Sequence, residues 1–107
     1  MQLTRFPEVL DFWFGAPDSP VRGRARKAWF TKSDEFDREI RERFSSLWKK
    51  ASDGALASWR GTPLAALALV VVLDQFPRNM FRGAPRAFAS DALALATATD
   101  MIERRFD

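Results

Sequence analysis

The residues best equipped for chemistry lie in one stretch, residues 73–88, which carries Asp74, Gln75, Arg78, Asn79, Arg82 and Arg86. Asp74 could act as a general base if burial raised its pKa, with Gln75, Arg78 and Asn79 polarising a substrate in a hydrolase-type reaction. Arg78 works against this, because a nearby positive charge lowers a carboxyl pKa, and no nucleophile stands beside a base at fixed spacing. Arg78, Arg82 and Arg86 suit recognition better, since a guanidinium grips phosphate or carboxylate through paired hydrogen bonds. No acidic residue interrupts positions 75–90, which favours an anionic ligand, with Gln75 and Asn79 as further donors. A small anionic metabolite or an acidic peptide partner would fit, and RNA less well. An architectural reading stands beside these two. In it Asp74 pairs with Arg78, Gln75 and Asn79 satisfy backbone groups freed at Pro77, and Phe76, Phe81 and Phe88 anchor the loop.

Composition narrows the chemistry. The chain has no histidine and no cysteine, so triads of the Ser-His-Asp or Cys-His kind, thiolate chemistry, disulfides and His-containing zinc sites are excluded. Asp74 and Asn79 alone make no metal cage, and no cofactor is implied. The 107 residues are expected to form one domain, with 47% hydrophobic and 13% aromatic residues supplying a core. The +3 net charge is modest. A second acid-free window, 19–33, holds Arg22, Arg24, Arg26, Lys27 and Lys32 and reads as an exposed segment anchored by Trp29 and Phe30. Phe12, Trp13, Phe14, Trp29 and Trp48 read as core rather than as platforms for bases, so nucleic-acid binding gains little from them. Residues 1–7 lack an apolar signal segment, and the apolar run 64–73 is too short to span a bilayer. A cytoplasmic protein without membrane contact is expected.

The elements that must position these residues read as helices. Pro7 and Glu8 start a short apolar helix that Gly15 closes, followed by a loop over 16–20. Ser33 caps a long helix in which Phe36, Ile40, Phe44, Leu47 and Trp48 recur at three- and four-residue steps. Its opposite positions carry Asp37-Arg41, Arg38-Glu42 and Glu39-Arg43, which read as a solvated face of i,i+4 ion pairs. Asp53-Gly54 ends it, a turn follows at 56–59, and Thr62-Pro63 starts the next helix. Pro77 biases Phe76 away from helical geometry, so that helix is expected to end at Phe76 and 78–89 to be loop. Ser90-Asp91 then caps a last helix over 92–105, with Phe106 among its apolar positions. The pattern is all-α, about five helices in antiparallel hairpins, with no strand alternation and no repeat of constant period.

At Asp74-Gln75-Phe76-Pro77-Arg78-Asn79, followed by Phe81-Arg82-Gly83, the chain resembles a bacterial family known as domain of unknown function 924. Supporting matches are Val9-Leu10-Asp11-Phe12-Trp13-Phe14-Gly15, Trp29-Phe30 with Phe36-Asp37, and Ala87-Phe88-Ala89 with Asp91. The resemblance implies a tetratricopeptide-like α-α superhelix and carries no activity to transfer. Family members are usually longer and continue into a second Phe-Pro motif with histidine and arginine, so this chain is expected to correspond to the N-terminal part. An apolar face covered in longer members would then be open to self-association.

Overall fold

In the computed structural model, which describes residues 5–15 and 34–105, all regular structure is helical. The expected loop over 16–20, the basic segment of 21–30 with Trp29, the Ser33 cap and Phe106 lie outside the described residues. Helix α1 (Phe6–Phe14) begins with Pro7 in its first turn, where a missing N–H leaves no helical bond unmade. Gly15 closes it at φ 95, in backbone space that a side chain disfavours. Helix α2 (Asp34–Ser52) has Asp34, Glu35 and Asp37 in its first turn and Lys49 and Lys50 in its last, matching the helix dipole at both ends.

A 3-10 turn (Ala57–Gly61) leads to helix α3 (Pro63–Val70). Thr62 holds the extended conformation of a helix start, but its side chain makes no capping bond. Beyond Val70 the chain does not leave the helix. It passes through a π-helical segment (Val71–Gln75) into helix α4 (Phe76–Met80). Phe76 is helical at φ −59, ψ −42, so the expected end at Pro77 is corrected: the helical path runs four residues farther, to Met80. The reason is the wider π turn. The Phe76 N–H donates to Val71 O, five residues back, which lets the helix admit a proline that supplies no N–H. A 3-10 turn (Pro85–Phe88) and helix α5 (Asp91–Glu103) complete the described chain.

The core gathers around Phe76. Its ring lies 4.7 Å from that of Phe44, 5.9 Å from Trp13 and 6.1 Å from Phe12, in stacked and edge-on geometry. Val9, Leu10, Ile40, Leu69, Val72 and Leu73 close around this cluster. The aromatic run of α1 is therefore core, and α2 packs against α4 and the π segment through the same rings.

Candidate functional site

Asp37 lies on the inner side of α2 and is only 6% exposed, which corrects its placement on a solvated face. Its position follows from helical spacing, since Ile40 and Phe44, three and seven residues on, are both buried. Asn79 on α4 donates from Nδ2 to Asp37 Oδ1 at 2.9 Å. Arg82, in the turn after α4, donates from Nε to Oδ2 at 2.8 Å and from Nη2 to Oδ1 at 3.1 Å. Burial pushes the Asp37 carboxyl up. The hydrogen bonds from Arg82 and Asn79, with the charges of Arg82 and Arg41, outweigh it and hold the group below its ordinary value. Arg82 is raised in turn by its bonds to Asp37. Gly83 turns the chain at φ 84 immediately afterwards.

The other residues of the stretch point elsewhere. Arg78 pairs with Asp74 at 3.0 Å and with Asp91 of α5 at 3.2 Å, and also donates to the Asp74 backbone carbonyl. The Asp74 side chain is 31% exposed and accepts from the Gln75 side-chain amide as well. Arg86 lies over the rings of Phe81 and Trp48, at 4.7 and 5.4 Å from their centroids. Gln75 and Asn79 thus bond side chains rather than the backbone groups freed near Pro77. That work falls to Ser90, whose hydroxyl donates to Leu73 O at 2.6 Å and accepts from Trp48 Nε1 at 3.0 Å. Ser90 precedes α5 as expected, but it forms no side-chain cap there.

The stretch therefore does not bring Arg78, Arg82 and Arg86 together. Arg82 lines a cavity of about 580 Å³ between the start of α2 and the turn after α4, with Arg38, Arg41, Asp34, Asp37 and Asn79 also in its wall. Arg86 borders a separate groove with Ser45, Ser46 and Lys49, and the Arg78 partners Asp74 and Asp91 border a third with Val70 and Leu95. In the first cavity three guanidinium groups face two carboxylates, and the Asp37 carboxylate is already compensated by Arg82 and Asn79. Arg41 donates one Nη2 bond to Met80 O at 3.2 Å, and Arg38 makes no ion pair among the described residues. Neither the expected Asp37-Arg41 nor the Arg38-Glu42 pair forms there, whereas Glu39-Arg43 does, at 3.1 Å. Arg38 and Arg41 both line the cavity, and among the described residues Arg38 has no partner while Arg41 has only its bond to Met80 O. Sequence reading assigned them to surface ion pairs; placing Asp37 inside would have placed them at its edge.

Among the described residues no cluster of three or more acidic side chains could hold a metal ion. No helix among them is long and apolar enough to cross a membrane. A family model described as bacterial protein of unknown function (DUF924) matches residues 9–107. The fold is similar to the solved structure of ATU0120, a protein of unknown function from Agrobacterium tumefaciens, with a TM-score of 0.80 and 34% sequence identity. That match covers 94% of this chain and 53% of the other, so this chain spans about half the length of that relative. No curated protein matches the sequence.

Proposed function

The chain belongs to the bacterial DUF924 family of proteins of unknown function, and from that premise we propose that it is a binding module for an anionic ligand. The ligand enters the cavity between the start of α2 and the turn after α4. One observation carries this reading: Arg38, Arg41 and Arg82 line one cavity while the buried carboxylate there, Asp37, is already neutralised by Arg82. An incoming phosphate or carboxylate meets Arg38, the remaining donors of Arg41 and the outer edge of Arg82. Asp34 at the rim limits how much negative charge the site holds, which favours a small anion over a polyanionic strand. Arg78 and Arg86 have architectural work and are not ligands in this reading. A cytoplasmic location accords with a cysteine-free chain and with the anionic metabolites found there.

Calorimetric titration with inorganic phosphate, pyrophosphate and citrate tests the proposal. Arg38→Ala and Arg41→Ala should each weaken binding about tenfold or more, the low end for a hydrogen bond to a charged group. Thermal stability should hold in Arg38→Ala, whose side chain is exposed and has no partner among the described residues, and fall slightly in Arg41→Ala, which loses its bond to Met80 O. Asp34→Asn should tighten binding. Failure of all three anions to bind, or binding indifferent to Arg38 and Arg41, overturns the reading.

A further inference from the structure

We propose that the cavity lined by Arg38, Arg41 and Arg82 takes an acidic amino acid, a dicarboxylate whose ammonium group is met by Asp34. This rests on the anion-binding reading of the same cavity and names the ligand class within it. Pairing between Arg82 and Asp37 removes one charge of each sign from the lining. What remains is Arg38, Arg41 and Asp34, two positive charges and one negative. The matching ligand carries two negative charges and one positive. A plain dicarboxylate satisfies the arginines but leaves Asp34 facing an anion, a repulsion that an ammonium group turns into attraction.

The order of these residues along α2 fits the same ligand. Asp34, Arg38 and Arg41 follow at steps of four and three residues, so they share one helix face with neighbouring Cβ atoms about 5–6 Å apart. An amino acid laid along that face sets its ammonium at Asp34, its α-carboxylate at Arg38 and its side-chain carboxylate at Arg41. All three residues are exposed. Asp34 and Arg38 do not pair with each other, and neither has another side-chain partner among the described residues. The cavity volume of about 580 Å³ admits a ligand of this size.

Calorimetric titration with L-glutamate and with glutarate, the same diacid without the amine, tests the proposal. The wild type should bind glutamate about threefold more tightly, within the range of an exposed ion pair. Asp34→Asn should weaken glutamate and tighten glutarate, so that the preference disappears while far-UV circular dichroism is unchanged. Glu35→Gln removes a neighbouring exposed carboxylate that does not line the cavity, and should leave the preference intact. Arg38→Ala should weaken both ligands. Glutarate that binds through Arg38 as tightly as glutamate overturns the proposal and leaves the anion-binding reading standing. A glutamate preference that survives Asp34→Asn, or that Glu35→Gln abolishes, does the same, as does binding of inorganic phosphate with neither diacid. If none of the three binds, the anion-binding reading falls with the proposal.

Discussion

Arg82→Ala removes two hydrogen bonds, at 2.8 and 3.1 Å, from a carboxylate that is almost fully buried. Each bond to a charged group is worth about 1.5–3 kcal/mol net. The Arg82 side chain is 42% exposed, so water recovers part of its own side of the pair. The carboxylate side has no such recourse, because Asp37 keeps only Asn79 and the field of Arg41. A loss of about 2–3 kcal/mol is expected, below the full cost of stranding a charge between two buried partners. The same pair sets an acid dependence. The Asp37 carboxyl is held below its ordinary value of 3.8 in the folded chain. Its stabilisation is therefore complete above that value and disappears as pH falls through the lower folded value. Asp37→Asn removes that contribution. Urea unfolding followed by circular dichroism, from about pH 7 to about pH 2, should show a stability difference between wild type and Asp37→Asn that shrinks in acid. If Arg82→Ala costs less than about 0.5 kcal/mol, within the range of ordinary surface changes, the pair does not fasten the turn. If the wild-type and Asp37→Asn acid slopes coincide, the carboxyl is not held low by its partners.

Ser90→Ala should cost about 2–4 kcal/mol in urea unfolding, because it strands both the Leu73 carbonyl and the Trp48 N–H. Asp74→Asn should cost under about 1 kcal/mol in the same measurement, since Asp74 and Arg78 are each about a third exposed and water replaces much of the pair.

Local signals in the sequence were enough for most of the helices. Pro7, the phased apolar positions of α2, Asp53-Gly54 and Thr62-Pro63 each act within one or two turns, and the elements they bound are present. Misreadings arose where a residue answers to a partner far away in sequence. Asp37 has the spacing of a core position, but its charge argued for solvent. Only the arrival of Asn79 and Arg82, forty-two and forty-five residues later, makes its burial tolerable. Ser90 reads as a helix cap because its hydroxyl can reach neighbouring backbone, yet Leu73 and Trp48 hold it instead. The arginines look convergent in sequence because they are close in number. In space the intervening turns send Arg78, Arg82 and Arg86 to three different surfaces.

Pro77 connects these observations. In an unbroken α-helix its ring would press on the Leu73 carbonyl, and that carbonyl would have no backbone donor four residues on. The π segment admits one extra residue into the turn, and the Ser90 hydroxyl supplies the missing donor to Leu73. One extra residue also rotates everything beyond it by about 100° relative to an unbroken helix. That rotation is what turns Asn79, and the chain leading to Arg82, toward α2 and Asp37, while Arg78 faces Asp74 and α5. Asn79, Met80 and Arg82 thereby face Asp37, Arg38 and Arg41 of α2 across the cavity. The Asp74–Asn79 motif therefore shapes this cavity chiefly by setting the helical phase on which Asn79 and Arg82 approach Asp37.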